Sequence, residues 1–577
     1  MINLDSKIIV TGVNGQLGFD VVNELKSRGY RNVLGIDIQD LDITDAKAVD
    51  AFINKYKPAV VMHNAAWTAV DKAEEFKDKV FSVNSYGTKN IAEACKKVDA
   101  AMVYISTDYV FDGKGTEPFE VDSPKNGLSI YGQSKLLGET FVQQTLGKHF
   151  IVRISWAFGV NGNNFVKTML KLGKTHPELN VVADQIGSPT YTFDLARLLV
   201  DMIETDKYGV YHATNEGFCS WADFAEAIFK EAHLNVKVNH VSSEEYKRIN
   251  PNQAERPLNS RMSKSSLTKA GLIHLPPWQD ALKRYVAELK KRGDAPLRVL
   301  VTGANGYIGP HVVNALNELG HTVIACDIDT SKVENAIKIN SSIFDKHDNL
   351  LEFYQYPDTV IHLAWRNGFD HSASTHLGDL DKHFDFLKSL VDAGVKNIAV
   401  MGSMHEVGYH VGKIDENTPC KPLSPYGEAK NELRQMMFKL KDDHDFNLYW
   451  IRAFYITGSD KDNHSIFSKI LDAAKDGKTT FPFNSGKNRY DFIDIKLLAK
   501  YIAMISTQQK VTGIINACSG ESKPLSEMVE NFIKANNLNI KLQYGVFPDR
   551  PYDSPEIYGD DSKLKLILKE YEKRGLN

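Results

Sequence analysis

One stretch occurs twice and constrains everything around it. It reads Thr11-Gly12-Val13-Asn14-Gly15-Gln16-Leu17-Gly18 near the start and Thr302-Gly303-Ala304-Asn305-Gly306-Tyr307-Ile308-Gly309 past the middle. Each copy follows an apolar β-type run, Ile8-Ile9-Val10 and Val299-Leu300-Val301. Each precedes a helix-period segment led by Val21, Val22 and Leu25 or by Val312, Val313 and Leu316. A strand that turns through glycines into a helix is the dinucleotide-binding arrangement: glycines permit the tight turn, and the helix N-terminus favours a pyrophosphate. The residues assigned to that role are Gly12, Gly15, Gln16, Leu17 and Gly18, then Gly303, Gly306, Tyr307, Ile308 and Gly309. An acidic residue closes the next β-run each time, Asp37 and Asp327, 19 and 18 residues beyond the last glycine. That is near the spacing for a carboxylate on the adenosine ribose.

The repeat period of 291 residues in a chain of 577 implies two units of nearly equal size, too long a period for a solenoid. Ala281 to Lys291 reads as an amphipathic helix, and Arg292-Gly293-Asp294-Ala295-Pro296 breaks it. The expected division is therefore residues 1–289, a short stiff linker at 290–296, and residues 297–577. Net charge is −4 with no basic cluster, which argues against nucleic acid or a membrane surface as partner. The five cysteines lack metal-ligand spacing, and neither unit shows a carboxylate cluster that requires a metal. Five is also an odd count, and with no signal peptide it points to a reduced, cytoplasmic protein. No apolar run reaches the ~20 residues of a membrane span. Nothing here assigns an oligomeric state.

In the first unit, Leu41-Asp42-Ile43-Thr44-Asp45 follows the acidic position. A loop there can contact an adenine through Asp42 and Ile43, and a helix N-cap by Asp42 or Thr44 is equally compatible. The run Ala59-Val60-Val61-Met62-His63 leads to Ala65 and Ala66, small residues where a cofactor would lie against the sheet. Ala101-Met102-Val103-Tyr104-Ile105 ends in Ser106-Thr107-Asp108. Tyr131 and Lys135, at i and i+4, share one helix face. An ammonium beside a phenol, with an oxidised nicotinamide, should lower the phenol's pKa toward the working range, and the lysine can also hold the nicotinamide ribose.

With these residues the first unit resembles the extended short-chain dehydrogenases/reductases. More narrowly, it resembles dTDP-4-dehydrorhamnose reductase along nearly its whole length. The matching segments include Ala65-Ala66-Trp67-Thr68-Ala69-Val70-Asp71, Ser106-Thr107-Asp108-Tyr109-Val110-Phe111, Arg153-Ile154-Ser155-Trp156 and Arg256-Pro257-Leu258-Asn259-Ser260. The resemblance implies hydride transfer from NAD(P)H to C4 of dTDP-4-dehydro-6-deoxy-L-mannose, giving dTDP-L-rhamnose. It implies Thr107, Tyr131 and Lys135 as catalytic. It implies Thr107, Asp108 and Trp156 at the sugar, with Arg256 at the diphosphate. Trp67 departs from the smaller or more polar aromatic of that family.

The second unit repeats the plan. Val360-Ile361-His362 leads to Leu363 and Ala364 over the cofactor, Ser403 ends the hydroxyl-bearing strand, and Tyr426 and Lys430 form the helix pair. The hydroxyl-to-tyrosine interval is 23 residues against 24 in the first unit. Gly402-Ser403-Met404-His405-Glu406 and Pro422-Leu423-Ser424-Pro425-Tyr426 resemble the NAD-dependent epimerase/dehydratase family, and Arg489 falls in the segment that in that family contacts the nucleotide diphosphate. The segment from Trp365 to Asp381 departs from it, lacking an asparagine equivalent to Asn84. Met404-His405 does not supply the Asp-Glu pair of a dehydratase, which favours a 4-epimerase or 4-ketoreductase on an unspecified nucleotide sugar.

The expected fold is α/β: two tandem Rossmann-type doubly wound parallel-sheet domains, each with a smaller C-terminal substrate lobe. The expected function is a bifunctional nucleotide-sugar oxidoreductase with one NAD(H) or NADP(H) per unit. The rival is a second unit, or a whole chain, that binds cofactor silently in a regulatory role.

Overall fold

A computed structural model of the chain describes residues 2–251, 253–458, 465–548 and 553–573. The chain divides into two compact units at Lys290/Lys291. In the first, six strands alternate with helices: β1 (Ile8–Thr11), α1 (Gln16–Ser27), β2 (Val33–Ile36), β3 (Val60–His63), β4 (Ala101–Thr107), α2 (Ile130–Thr145), β5 (His149–Ile154) and β6 (Gly209–His212). They form one wholly parallel sheet in the order β6-β5-β4-β3-β1-β2.

The strands read as short unbroken apolar runs because both sheet faces are covered. Side chains of a strand alternate between faces, so Ile8 and Val10 join one core with Val103 and Phe150, while Ile9 joins the other with Val61, Met102 and Ile151. Each fully buried aliphatic contributes about 1.5–3 kcal/mol. A smaller lobe follows, in which Glu178–Val182 pairs in parallel with Lys237–Val241 and packs on the helix Trp221–Glu231. The closing helix, α3, spans Trp278–Arg292, running into the stretch expected to be linker; its Tyr285, Val286 and Leu289 are buried.

The second unit comprises β7 (Arg298–Thr302), α4 (Gly309–Glu318), β8 (Thr322–Asp327), β9 (Ile337–Asn340), β10 (Thr359–His362), α5 (Leu380–Asp392), β11 (Asn397–Ser403), α6 (Pro425–Asp443), β12 (Asn447–Ala453) and β13 (Gly513–Ala517). Its parallel sheet runs β9-β8-β7-β10-β11-β12-β13, the order of a dinucleotide-binding sheet extended by one strand. Among the described residues the first unit has no strand equivalent to β9. Its chain goes from Asp37 through a tight turn into the helix Ala46–Tyr56, which is capped by Asp45 and not by Asp42 or Thr44: the Asp45 carboxylate accepts from Lys47 N and Ala48 N. The lobe of the second unit carries a four-stranded sheet that includes Arg489–Tyr490 and Glu556–Gly559.

Candidate functional sites

Each unit has a cleft at the C-terminal edge of its sheet, of about 890 Å³ in the first and 990 Å³ in the second. Gly12 and Gly303 open the two glycine turns with φ of +69° and +70°, where a side chain is strained. A Cβ on Gly18 would lie 2.2 Å from the Gly12 carbonyl oxygen, and one on Gly309 would lie 2.4 Å from the Gly303 oxygen, so these glycines are what lets the helix start so close to its strand. The helices do not start alike. In the first unit α1 begins at Gln16, and Phe19 N bonds the Gly15 carbonyl. In the second, Pro310 stands where Phe19 does, has no N–H to offer, and α4 begins only at Gly309.

The acidic residues are held alike. Asp37 accepts from Asn14 N and Ile38 N, and Asp327 from Asn305 N and Ile328 N, each within 2.9 Å. All residues assigned from sequence to the cofactor line the two clefts: Gly12, Gly15, Gln16, Leu17, Gly18, Asp37, Asp42, Ile43, Ala65 and Ala66 in one, and Gly303, Gly306, Tyr307, Ile308, Gly309, Asp327, Leu363 and Ala364 in the other. A backbone cradle at a helix N-terminus, a carboxylate held at the next strand end and an elongated cleft between them fit a dinucleotide.

Below the cleft floor runs a matched pair of hydrogen-bond chains. Thr11 Oγ1 accepts from Asn64 N and Ala65 N and bonds His63 Nδ1 at 2.9 Å; His63 Nε2 then meets Thr88. Thr302 bonds His362 Nδ1 at 2.9 Å, and His362 Nε2 meets His383. Burial holds both His63 and His362 well below the ordinary imidazole range, so the chains run through neutral rings.

At the far end of the first cleft stand Thr107, Tyr131 and Lys135. Burial pushes the Tyr131 phenol up, helped by the Asp108 charge, while a hydrogen bond from Thr107 pulls it down. Burial brings Lys135 down to about 7 against the pull of Glu139, and its Nζ lies 4.1 Å from the centre of the Tyr104 ring. The second cleft repeats this with Ser403, Tyr426 and Lys430. Burial pushes Tyr426 up to about 12, opposed by Ser403, and brings Lys430 down to about 7, opposed by Glu406. Lys430 donates to the Met401 carbonyl at 2.8 Å and sits 3.7 Å over the Trp365 ring. In both units desolvation is the largest influence, raising the phenols and lowering the lysines.

Asp108 and Trp156 also line the first cleft. Burial raises Asp108 to about 6, opposed by Ser260 and Thr107; one carboxylate oxygen takes the Thr107 hydroxyl at 2.9 Å and the other is buried with no hydrogen bond. Trp156 stacks on Trp221 at 3.8 Å. Arg256 is not in the cleft lining: Nη2 bonds Asp71 at 3.2 Å, and Nη1 is buried and unpartnered. Arg489 is likewise absent from the lining of the second cleft. Its register opposite Glu556 in the lobe sheet spends the guanidinium on the Ser522 carbonyl at 2.7 Å, the Ser522 hydroxyl and Glu556 at 3.3 Å.

Residues to which the sequence assigned no role in the sites complete them. Asn84 sits in the π-turn Ser82–Gly87 and brackets Trp67, accepting from its N at 2.7 Å and donating to its carbonyl. In the second unit Asp379 grips the Arg366 side chain at 2.8 Å. That segment also brings His371 and His376 around Tyr426. Among the described residues no group of three or more His, Cys, Asp or Glu could hold a metal ion, and no helix is long and apolar enough to cross a membrane.

Residues 6–291 belong to the RmlD substrate binding domain family, and residues 299–518 match the model of the NAD dependent epimerase/dehydratase family. Both are enzyme families. Across 271 residues the chain is 46% identical to dTDP-6-deoxy-L-talose 4-dehydrogenase (NAD(+)) of Aggregatibacter actinomycetemcomitans, covering 46% of this chain and 99% of that protein. It is 41% identical over 294 residues to a dTDP-4-dehydrorhamnose reductase of the same organism, covering 49% and 99%. A crystal structure of a dTDP-4-dehydrorhamnose reductase from Clostridium acetobutylicum is 46% identical, covers 49% of this chain and 99% of its own, and superposes with a TM-score of 0.48.

Proposed function

We propose that this is a cytoplasmic, bifunctional nucleotide-sugar enzyme whose units, 1–289 and 297–577, each bind one NAD(H) or NADP(H). In this reading the first unit reduces dTDP-4-dehydro-6-deoxy-L-mannose at C4 to dTDP-L-rhamnose. One observation carries it: a protonated phenol, a hydroxyl and a buried lysine meet at one end of the cleft, next to the unpartnered Asp108 oxygen. The dinucleotide, when bound, supplies the hydride. Tyr131 donates a proton to the C4 oxygen, Thr107 shares that hydrogen bond, and Lys135 holds the nicotinamide ribose. The free Asp108 oxygen takes a sugar hydroxyl, Trp156 borders the sugar, and Arg256 keeps Nη1 for the diphosphate.

A second reading of the same unit has support from the 46% identical talose dehydrogenase. Reduction of the same ketone on its other face gives the C4 epimer, dTDP-6-deoxy-L-talose. Incubation with the 4-keto sugar nucleotide and NADH or NADPH, followed by NMR assignment of C4, separates the two. Rhamnose supports the first reading, 6-deoxytalose supports the second, and absence of ketone reduction rejects both. For the second unit we infer a nucleotide-sugar 4-epimerase or 4-ketoreductase, supported by Ser403, Tyr426 and Lys430 around one cleft. Turnover of a UDP- or dTDP-hexose or its 4-keto form, lost in Tyr426→Phe, supports it. Cofactor binding without turnover supports the silent regulatory unit.

A further inference from the structure

The second cleft contains imidazoles where the first has none: His371, His383 and His405 line it, and no histidine lines the first. His383 is engaged by His362. His376, behind the cleft wall, has both ring nitrogens engaged: Nδ1 meets Trp365 Nε1 at 3.0 Å and Nε2 meets the Asp370 carbonyl at 2.7 Å. His371 and His405 differ. Among the described residues neither has a hydrogen-bond partner for a ring nitrogen, and the two rings meet edge to face at 4.4 Å.

Their position points to the sugar. His405 follows Ser403 by two residues, as Tyr109 follows Thr107, and both stand edge-on to the site tyrosine, at 6.2 and 5.5 Å. His371 comes from a different element, the loop after β10. Its carbonyl accepts from Tyr426 N, and its ring lies flat on the Tyr426 ring at 4.7 Å and 9°. Glu406, the nearest carboxylate in sequence, is fully buried on Trp450, Arg452 and Ser403 N and does not face the cleft.

We propose that His371 and His405 are an acid–base pair that removes and returns a proton on a carbon flanking the 4-keto group of a nucleotide-linked hexose. The inference rests on the nucleotide-sugar reading of this unit and adds a reaction class to it. A neutral imidazole takes the proton. The C–H pair becomes the C=C bond, and the carbonyl π pair moves to O4, which is hydrogen-bonded by Ser403 and Tyr426. The imidazolium then returns a proton as the double bond reverts to the ketone. Return by the same ring exchanges the hydrogen, and return by the other inverts the carbon. No oxidant or reductant is consumed.

The groups facing the pair are Tyr426, His376, Asp370 and Lys430. Burial holds His405 down at about 3 and lowers His371, with Asp370 opposing at His371. Burial thus biases both rings toward the neutral, basic form.

The test uses the full chain in D2O with dTDP-4-keto-6-deoxyglucose or UDP-4-keto-6-deoxyglucose and oxidised cofactor, reading loss of the H3 and H5 NMR signals. Wild type should exchange far above a protein-free control. His371→Gln and His405→Gln should each slow exchange by about 10²-fold or more. NADH oxidation by the first unit and calorimetric cofactor binding by the second should be unchanged in both variants. Exchange no faster than the control, or undiminished in both variants, overturns the pair. Tyr426-dependent turnover without exchange overturns the pair alone; neither turnover nor exchange overturns the nucleotide-sugar reading with it.

Discussion

Both units bury a carboxylate–arginine pair beneath the site tyrosine, but the carboxylate comes from different places. In the first, Glu139 stands two turns after Tyr131 on α2. It takes Arg153 of β5 with both oxygens, at 2.8 and 2.7 Å, and the Ser106 hydroxyl. In the second, that helix position is Arg434, and the carboxylate is Glu406 in the turn after β11. It meets Arg452 of β12 at 3.5 Å, Trp450 Nε1 at 2.9 Å and Ser403 N at 2.7 Å. The electrical result is the same: in each unit that carboxylate is the charge opposing desolvation of the site lysine. The chemical result differs. The second unit spends on bracing the acidic residue that follows Ser403, and His371, His376 and His405 stand around the tyrosine.

The comparison can be tested by experiments of decreasing effect. Tyr131→Phe and Tyr426→Phe should each reduce the turnover of their own unit by roughly 10²–10⁴-fold. Each should leave the other unit's rate unchanged; product assays on both variants decide, and a shared loss breaks the independence of the sites.

Next in size is Glu139→Ala, which leaves Arg153 buried without its partner and should cost about 3–5 kcal/mol in urea unfolding. Glu406→Gln should cost less, because the bonds to Trp450 and Ser403 N survive the change. Equal costs for Glu139→Gln and Glu406→Gln would show that the two pairs are equivalent in spite of their geometry.

A smaller effect is expected from pH. Both lysines titrate near 7, charged below and neutral above, so an ammonium–ribose hydrogen bond is present at pH 6 and lost by pH 8.5. A charge-assisted bond is worth about 1.5–3 kcal/mol, so cofactor Kd should rise by about tenfold or more over that range in both units. Calorimetry showing a flat Kd would remove the lysines from that role.

Smallest is Pro310→Ala. It restores an N–H at the start of α4 and frees the unfolded chain, and should destabilise by about 0.4–1 kcal/mol. The reciprocal Phe19→Pro, which deletes the Phe19–Gly15 bond, should delay the start of α1; amide exchange over residues 16–19 reports it.

Much of this was legible in sequence because it is local. Glycine turns, buried strands and a Tyr/Lys pair one helical turn apart are written in consecutive residues, and the residues they named gather in two clefts. What was not legible depends on chain segments meeting. Strand β9 was missed because Ile337–Asn340 is a short, mostly exposed edge, too brief for its Ile-Lys-Ile-Asn alternation to stand out. The Asp379–Arg366 grip replaces the Asn84 bracket with a different chemistry, so looking for an asparagine could not find it. His371 reaches Tyr426 from a loop without periodicity. The partners of Arg489 were not legible either, because a motif gives residue type and order, whereas Glu556 is supplied by strand pairing far along the chain.

The indoles of the two clefts have an optical consequence. In the first, Trp156 and Trp221 lie nearly parallel at 3.8 Å, close enough for their excited states to couple and give a paired band in near-ultraviolet circular dichroism. In the second, Trp365 stands alone under the Lys430 ammonium and stacks on His383 at 4.5 Å, an arrangement that quenches emission and responds to anything that moves the cation. The two sites thus carry different intrinsic reporters. Filling of one can be followed by dichroism and of the other by fluorescence in the same unlabelled sample.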